Sequence, residues 1–592
     1  MADFLTAPQA LFDQLTAAMA ANGAAWAWFT TVVRFLFPVL ALLILVRAIR
    51  SLLRVPHTPE VWAHLSLPNG AEEPLTHWEN ILGRAPNSDV VLNYPTVSRQ
   101  HAALIRGEDG VWTAYDLGSK GGVTVNGAPL EGSARLAYGD VLGLGGVETV
   151  LKPLSLEEER EQRARREQAR PSSHLLEFLL LTVFQVLAAL QLIVSEGEGA
   201  SVGIPLAFFC LTAAMWAYFL TMRALHRVGF EMETIAFFLT TLSLAVTASS
   251  ATDALFKQFL AAVLGLAVFL VLGAVLRDLE RVKKLRWLAA AGAVGLLALT
   301  ALLGTTAFGA RNWLVIGSLS IQPSELAKVC YIFAGAATLE RLFRKRNLTL
   351  FMVLTAACLA CLAYMSDLGT AAIFFVTFLV IAYLRSGDWA TLALVTGAAA
   401  FAAGLVAFLR PYILNRFATW GHAWEYASSG GYQQTRTMSA AASGGLVGVG
   451  AGEGWLHNIG AADTDLVFGM LCEEWGLIIA VLAVACIVTL AVFAVRACAA
   501  GRSSYYTIAA CAAASLMAFQ TCLNVFGSVD LLPLTGVTFP FVSNGGTSMV
   551  CSWALLAFLK ATDTRPNASF AIRLRPRQTA GETRTAREEG AA

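Results

Sequence analysis

The sequence predicts a polytopic α-helical membrane protein of about 13 spans with a small all-β domain near its N-terminus. Of its 592 residues, 56% are hydrophobic and only 14% are charged, and the mean hydropathy is +0.61. These values exclude an ordinary soluble domain. The net charge of +1 averages separate charged blocks in residues 47–170, the short loops and the tail, and no nucleic-acid partner is expected.

Composition divides the chain into six regions. They are an N-terminal membrane anchor (1–54), a β domain (55–152), a charged linker (153–174), two extra transmembrane helices (175–231), a membrane core (232–562) and a basic tail predicted to be disordered (563–592). The first apolar run, 24–46, is long enough to cross about 30 Å of hydrocarbon and has no small-residue cleavage site.

Twelve more apolar runs are predicted to span the membrane. They are 175–194, 203–222, 232–250, 256–277, 286–306, 323–341, 349–366, 367–385, 389–409, 467–496, 504–526 and 537–560. Arg47, Arg50 and Arg54 follow the first span, so the positive-inside rule predicts a cytoplasmic β domain and an external N-terminus. Thirteen spans then place every later basic loop inside and the loops 307–322, 410–466 and 527–536 outside.

Short runs with β propensity, separated by turn residues, predict the β domain; they are Val90–Leu92, His101–Ile105, Val111–Tyr115 and Gly122–Val125. The charge-dense linker predicts a helix that ends near Pro171. Cys358 and Cys361 form a C-x-x-C within an apolar run, which is typical of small packing residues rather than a zinc or redox site.

The β domain carries Gly83-Arg84, Ser98–His101, Asp116–Ser119 and Asn126-Gly127, and it resembles a forkhead-associated (FHA) domain over nearly all of 75–152. The resemblance implies a phosphothreonine protein as partner. Arg84 and Ser98 would contact the phosphate, with Arg99 as an auxiliary donor and His101 bracing the loop. Gly121–Val123 stand where the family has Asn-Gly-Thr, so a phosphate-independent docking module is the alternative.

In the membrane region, Gly309–Trp313 precede Gln322–Lys328, where Pro323 predicts a helix start. Glu325 and Lys328 are three residues apart and are predicted to meet on one helix face. They are either a neutralised pair that holds helices together or part of an external polar cavity with Arg311. A second motif, Ser366–Ala371, places Asp367 at the external start of a span, where helix capping is the alternative role.

Three further motifs follow in order. They are Gly431–Gln434 with Ser443–Gly445, Ala461–Phe468 with Glu473-Glu474, and Leu534–Phe541 with Ser543–Ser548. Asp465 lies where an aqueous loop would enter the membrane. Acidic side chains are costly at that depth, so they usually face a cavity, a partner or a substrate.

The five motifs, in this order across roughly 235–560, resemble the SEDS glycosyltransferases, the FtsW/RodA/SpoVE family of cell-wall polymerases. The resemblance implies that Asp465 is catalytic. It also implies a set of substrate-binding residues: Arg311, Trp313, Gln322, Glu325, Lys328, Asp367, Gln433, Arg436, Ser443, Glu473 and Ser543. This sequence departs from the family pattern at Met365-Ser366, Arg436-Thr437 and Val449.

The implied reaction is inverting polymerisation of lipid II, the undecaprenyl-pyrophosphate-linked glycan precursor, at the outer face of the bacterial cytoplasmic membrane. Asp465 would be the general base, and Arg311, Lys328, Arg436 or a divalent cation (Mg²⁺ or Mn²⁺) would stabilise the leaving pyrophosphate. No dedicated protein metal site is expected.

A class B penicillin-binding protein transpeptidase is the expected partner. A lipid II flippase and a non-catalytic membrane scaffold are the alternatives, and division, elongation and sporulation roles stay open.

Overall fold

The computed structural model describes a polytopic helical domain and a β sandwich, as the sequence predicts. The described residues are 14, 16, 23–54, 59–86, 88–107, 110–168, 174–197, 200–307, 310–317, 319–337, 345–386, 389–409, 417–499, 501, 503–565 and 567–569. In this part of the chain, nine helical spans are long and apolar enough to cross a membrane. The protein is therefore a membrane protein.

The helices are α1 Gly23–Leu52, α2 Leu156–Gln168, α3 Leu175–Glu196, α4 Gly203–Ala224, α5 Glu231–Ser250, α6 Leu255–Val275, α7 Leu279–Leu303, α8 Pro323–Ala336, α9 Lys345–Tyr364, α10 Leu368–Ser386, α11 Trp389–Leu409, α12 Tyr432–Gly444, α13 Val467–Met470, α14 Gly476–Ala499, α15 Ser504–Ser528 and α16 Gly546–Thr562. Each of the thirteen predicted spans overlaps a helix, but two differ in detail. The span 467–496 consists of α13, a π-helical turn and α14. The predicted start of the span 537–560 is wrong, because residues 537–545, which include Pro540, are not helical and α16 begins only at Gly546. Helix α5 is buried along most of its length, so the others pack around it.

The strands of the β domain are β1 Ala63–Ser66, β2 Glu72–Leu75, β3 Glu79–Gly83, β4 Val90–Val91, β5 Ala102–Arg106, β6 Trp112–Asp116, β7 Val123–Val125, β8 Ala128–Pro129, β9 Ser133–Leu136, β10 Val141–Leu144 and β11 Val147–Lys152. They form a six-stranded sheet in the order β2-β1-β11-β10-β7-β8 and a five-stranded sheet in the order β4-β3-β5-β6-β9. Alternating apolar residues of both sheets, including the fully buried Trp112 and Leu104, form the core of this sandwich.

Helix α2 is the predicted linker helix, and a capping box starts it. Ser155 Oγ accepts the Glu158 N–H at 3.3 Å, and Glu158 Oε2 accepts the Ser155 N–H at 2.9 Å. The same glutamate bonds His64 Nε2 through Oε1 at 2.9 Å, so the helix is held against strand β1. The predicted helix end near Pro171 lies outside the described residues.

Strand β3 docks the β domain onto the helical domain through Glu79. Its carboxylate accepts the Ser503 hydroxyl at 2.9 Å and the Ser504 N–H at 3.0 Å, at the N-terminus of α15. A carboxylate is favourable there because the helix N-terminus has unpaired N–H groups and a positive dipole end. Burial raises the pKa of Glu79 and the bonds from Ser503 and Ser504 oppose that rise, so the net free energy of docking becomes less favourable as the pH rises through the raised pKa, although the ionised carboxylate is the stronger acceptor.

The same end of the bundle holds a buried ionic cluster. The Arg565 guanidinium bonds Glu231 at 2.7 and 3.0 Å and Asp563 at 2.7 Å, and Ser51 Oγ donates to Glu231 at 2.5 Å. These groups join α1, α5 and the segment after α16. Removing one partner of a buried charge pair typically costs about 3–5 kcal/mol, so the cluster fixes the extra helix α1 to the core.

Helix α15 connects two functional regions. Its first residues bind the β domain, and its last two turns contact the loop that contains Asp465. A helix of 25 residues is about 37 Å long, which exceeds the thickness of the hydrocarbon core. The β domain and Asp465 therefore lie at opposite ends of the membrane bundle.

We expect the Glu79→Ala substitution to release the β domain from α15 without unfolding either part. Bonds to a charged group contribute about 1.5–3 kcal/mol each, so their loss should accelerate amide hydrogen exchange in the first turn of α15. The control is Glu148→Ala, an exposed glutamate on β11. Equal exchange in the two variants would contradict the docking contact.

Candidate functional site

The loop before α13 is wound tightly and presents Asp465. The carbonyl of Ala461 accepts the N–H of Asp465 at 2.9 Å and the N–H groups of Thr464 and Leu466 at 3.3 Å. Ala461 itself has φ = 62°, a left-handed conformation that costs a non-glycine residue about 1–2 kcal/mol. Asp465 is half-buried two residues before α13, so its carboxylate lies at the boundary between loop and membrane helix.

The segment Leu534–Phe541, here called the strap, lies against this carboxylate. The strap has no helix or strand, and Gly536 adopts φ = 68°. A Cβ placed on Gly536 would lie 3.2 Å from Asp465 Oδ2. Glycine is therefore favoured at this position, both by the left-handed backbone and by the tight space beside the carboxylate.

Ser543 joins the strap to the Asp465 loop. Its hydroxyl donates to the Thr464 carbonyl at 2.7 Å and accepts the Phe539 N–H at 2.8 Å. The neighbouring Asn544 donates from its backbone N–H to the Asp463 carbonyl at 2.8 Å and from Nδ2 to the Asp463 carboxylate at 2.7 Å. Ser543, which is predicted to bind substrate, thus bonds the residue next to Asp465 and connects two of the motifs.

Glu325 and Lys328 meet on one face of α8, as their spacing predicts. Lys328 Nζ donates to Glu325 Oε1 at 2.6 Å and to Gln520 Oε1 at 2.9 Å. Gln520 Nε2 in turn donates to the carbonyl and the hydroxyl of Thr538, at 2.8 and 2.9 Å. The ion pair is buried, with 5% of Glu325 and 2% of Lys328 exposed, and Gln520 connects it to the strap.

Two other predicted residues lie at the ends of helices that contact this region. Gln322 precedes α8, and its N–H donates to Thr547 Oγ1 at 3.2 Å in the first turn of α16. Asp367 caps α10, because its Oδ1 accepts the Thr370 N–H at 3.1 Å. The following Gly369 packs so closely on the strap that a Cβ there would lie 2.7 Å from a Val537 methyl carbon.

Arg311 and Trp313 lie in a small sheet formed by β12 Thr305–Ala307, β13 Ala310–Ile316 and β14 Leu319–Ile321. Arg311 Nη1 donates to the Ala301 carbonyl at 3.1 Å, and its N–H donates to the Met365 carbonyl at 3.0 Å. The Trp313 carbonyl accepts the Thr305 hydroxyl at 3.1 Å. Among the contacts described, none brings Arg311 or Trp313 directly to Asp465 or Lys328.

Helix α12 lies within the long segment between α11 and α13, and it contacts the loop that contains Asp465. Gln433 Nε2 donates to the Gly460 carbonyl at 2.8 Å, five residues before Asp465. Arg436 is exposed and its guanidinium lies 5.2 Å from the centroid of the Tyr432 ring. Ser443 is also exposed, and its hydroxyl donates to the Ala440 carbonyl of the same helix at 2.7 Å.

Glu473 lies in a π-helical turn, Leu471–Trp475, and anchors a loop. Its two carboxylate oxygens accept the backbone N–H groups of Trp455 and Leu456, each at 3.0 Å, and only 1% of the residue is exposed. Because both oxygens are occupied by backbone donors, Glu473 has a structural role in this conformation. Its predicted contact with substrate stays a prediction.

The β domain presents its predicted phosphate-binding residues at the end of β3 that is opposite to Glu79. Arg84 and Arg99 are exposed, and the Arg84 N–H donates to the Ser98 carbonyl at 3.0 Å. Ser98 Oγ accepts the Lys120 N–H at 3.0 Å, which leaves its hydroxyl proton available to an anion. These three side chains therefore share one surface.

His101 braces this surface, as expected. It is fully buried. Its Nδ1 accepts the Ser98 N–H at 3.0 Å, and its Nε2 lies 2.9 Å from the Gly122 carbonyl oxygen. A Cβ on Gly121 would lie 2.7 Å from Gly145 Cα. Two turns approach each other so closely here that there is no room for a side chain, which explains why this sequence has Gly121 where the family has Asn.

Two residues that carry the geometry of the site are absent from the sequence predictions. Asn524 and Gln520 lie one turn apart on α15 and contact the Asp465 loop, the strap and Lys328. Polar amides inside an apolar span are the signal that could have identified them.

In the described part of the chain, no group of three or more His, Cys, Asp or Glu side chains could hold a metal ion.

Comparisons with known proteins identify the family of the membrane domain and of the β domain. The cell cycle protein family of FtsW, RodA and SpoVE matches residues 215–567, and the FHA domain family matches residues 80–145. Peptidoglycan glycosyltransferase RodA of Mycobacterium leprae is 29% identical over 343 residues, covering 55% of this chain and 72% of the relative. Probable peptidoglycan glycosyltransferase FtsW of Tolumonas auensis is 30% identical over 316 residues, covering 52% and 81%.

A solved structure of a peptidoglycan synthase complex contains a chain that is 26% identical, with a TM-score of 0.47, covering 57% of this chain and 98% of that one. The family match alone spans more than half of the sequence. The chain is thus a multi-span membrane protein with an FHA domain. It belongs to the FtsW/RodA/SpoVE family of cell cycle proteins.

We expect Gly536→Ala to reduce activity strongly while the protein still inserts and folds. The added methyl group would require a left-handed alanine and would press against Asp465 Oδ2. Gly460→Ala in the same region is the matched control, since a Cβ there meets no atom within 4 Å. Polymerisation of lipid II by the purified variants is the measurement. Equal activity of both would contradict the contact between the strap and Asp465.

Proposed function

We propose that this protein is a peptidoglycan glycosyltransferase that polymerises lipid II into glycan strands, with Asp465 as the general base. The observation that carries the proposal is the convergence of family motifs on one carboxylate. Asp465 lies against Gly536 of the strap, and the strap connects through Gln520 to the buried Lys328–Glu325 pair. Membership of the family supports the reaction class.

In the proposed reaction, the 4-hydroxyl of the acceptor sugar attacks the anomeric carbon of the donor. Asp465 accepts the hydroxyl proton, the bond to undecaprenyl pyrophosphate breaks, and the anomeric configuration inverts. A sugar hydroxyl is a weak acid, so a positioned base accelerates the attack by about 10²–10⁴-fold. A half-buried carboxylate at the end of a membrane helix suits this role, because it can meet a lipid-linked substrate at the bilayer surface.

The leaving pyrophosphate carries negative charge that cations would stabilise. Arg436 is exposed on α12, and Arg311 uses one nitrogen of its guanidinium on the Ala301 carbonyl. The charge of Lys328 is balanced by Glu325, so we assign Lys328 to holding the site rather than to neutralising the leaving group. The described residues do not form a metal cage, and any Mg²⁺ or Mn²⁺ would be carried mainly by pyrophosphate oxygens.

We further propose that the site faces outward and the FHA domain inward across the bacterial cytoplasmic membrane. Arg47 and Arg50 lie in the last two turns of α1 and Arg54 follows it, at the end where the β domain begins. Arg496 at the end of α14 bonds the Leu53 carbonyl at 2.9 Å. Asp465 lies at the opposite end of α15. This arrangement suits a substrate that is used outside and a regulator that is made inside.

We also propose two partners. A phosphothreonine protein would bind the FHA domain through Arg84, Ser98 and Arg99, since a phosphate needs a cationic fork and hydroxyl donors at one surface. A class B penicillin-binding protein transpeptidase would act beside the external site, because a cross-linking enzyme must reach the strand as it emerges. Regulation would then arrive from the cytoplasm while cross-linking occurs outside.

We predict that Asp465→Asn abolishes polymerisation while the protein still binds lipid II. The substitution keeps size and hydrogen bonding but removes the basic site, which should raise the barrier by about 3–6 kcal/mol. Purified full-length protein in detergent with lipid II is the assay. Glu473→Gln is the comparison, and it should affect thermal stability as well as rate because Glu473 anchors Trp455 and Leu456.

Near wild-type polymerisation by Asp465→Asn together with an inactive Glu473→Gln would show that the base is misassigned. Activity in both variants would exclude the glycosyltransferase mechanism described above. Transport of lipid II by a protein that forms no glycan would instead favour the flippase alternative.

We predict that a phosphothreonine peptide binds this domain weakly and that Arg84→Ala abolishes the binding that calorimetry detects with full-length protein. The loss of a charge-assisted contact of about 1.5–3 kcal/mol should weaken binding roughly tenfold or more. Gly121→Asn should not strengthen binding, because its Cβ would meet Gly145 Cα at 2.7 Å. Identical titrations for phosphorylated and unphosphorylated peptides would favour the phosphate-independent docking module.

A further inference from the structure

Helix α15 carries two buried amides on one face. Gln520 and Asn524 are four residues apart, so they lie one above the other, and they are 2% and 1% exposed. An amide in an apolar span is costly unless its donors and acceptor are bonded. Gln520 is bonded through both ends, whereas Asn524 is bonded through Nδ2 and its Oδ1 is buried without a partner among the described residues. Neither residue belongs to a motif that marks the family resemblance. Their partners therefore indicate what they do.

Asn524 bridges the Asp465 loop and the strap. Its Nδ2 donates to the carbonyl of Asp465 itself at 3.1 Å and to the carbonyl of Val537 at 2.8 Å. The Thr464 carbonyl lies 3.5 Å from the same nitrogen. One amide group thus fixes the backbone of the proposed base against the residue that follows Gly536.

Gln520 makes the equivalent bridge one turn earlier. Its Oε1 accepts from Lys328 Nζ at 2.9 Å, and its Nε2 donates to the Thr538 carbonyl at 2.8 Å and hydroxyl at 2.9 Å. The two bridges meet adjacent residues of the strap, Val537 and Thr538. Asp465 and Lys328 are therefore held relative to each other through one helix face and one short segment.

We infer that Asn524 and Gln520 are positioning residues for the polymerisation reaction, with Asn524 fixing the general base Asp465 and Gln520 fixing the Lys328–Glu325 pair. The inference rests on the proposed function. Neither amide needs to touch substrate, because each acts through a residue of the site. Misplacement of a reacting group by about 1 Å can cost on the order of 10² in rate, so the loss of either bridge should lower kcat.

A purely structural role would differ in its consequences. If the amides served only to satisfy the strap, their removal would lower thermal stability, substrate binding and rate together. Positioning of a base affects the chemical step, so kcat falls while KM for lipid II changes little, even though the carbonyls left without a donor also lower the melting temperature. A second signature is non-additivity, because a variant without the base cannot lose its positioning again.

The experiment compares Asn524→Ala alone and combined with Asp465→Asn in purified full-length protein with lipid II. We expect kcat to fall about tenfold or more in Asn524→Ala, with KM for lipid II within about twofold of wild type. The double variant should be no slower than Asp465→Asn. Asn524→Asp, which is isosteric, should be at least as damaging, because an oxygen would then face the carbonyls of Asp465 and Val537.

Thr521→Val is the matched control on the same helix. Thr521 is buried, and its hydroxyl donates to the Met517 carbonyl within α15, so this variant should keep the wild-type kcat. If Asn524→Ala does not fold, Gln520→Leu provides the second variant. It keeps the side-chain bulk, removes the bonds to Lys328 and Thr538, and should show the same loss of kcat at unchanged KM.

The inference is overturned if Asp465→Asn is inactive while Asn524→Ala and Gln520→Leu both polymerise at the wild-type rate. It is also overturned if the losses in Asn524→Ala and Asp465→Asn multiply in the double variant, or if lipid II binding weakens in proportion to the loss of kcat. Failure of the proposed function is a separate outcome, in which the wild-type protein forms no glycan or Asp465→Asn keeps the full rate.

Discussion

The constraint on which the site depends is that the strap has no regular secondary structure although it is packed between membrane helices. Backbone N–H and C=O groups that are buried in protein need partners, because water does not reach them there. Side chains of neighbouring helices and turns provide them. The residues that bond the strap backbone are Asn524, Gln520, Ser543 and Ser552. The first three also contact the Asp465 loop or Lys328. The side chains that provide hydrogen-bond partners for the strap therefore also hold the residues of the site in place.

This arrangement also explains how one helix relates the two ends of the protein. Helix α15 begins at the Glu79 contact with the β domain and ends beside Asp465. Arg84 follows the other end of strand β3, about 16 Å from Glu79 at the usual rise per residue. The proposed phosphate-binding surface is therefore directed away from the contact with α15. A phosphorylated partner could bind there without displacing the docked domain.

Much of the fold could be predicted because its signals are local. Each span is a long apolar run, and the pairing of Glu325 with Lys328 follows from helical spacing. The tertiary contacts could not be predicted in this way. The role of Glu473 as an anchor for residues 455 and 456 depends on a distant loop, and the bridging role of Asn524 depends on two segments that meet only in the folded bundle. The sequence shows that an amide lies within an apolar run, but it does not show which distant residue that amide bonds.

The central claim is that Asp465 accepts a proton on the side of the membrane opposite to the FHA domain. The most direct test measures the polymerisation rate in proteoliposomes whose FHA domain is lumenal, as shown by protection of residues 80–145 from protease. External pH is varied while lumenal pH is held constant. The account predicts a rate that rises with external pH to a plateau, as the base loses its proton, and that ignores lumenal pH. A rate that follows lumenal pH and ignores external pH would contradict it.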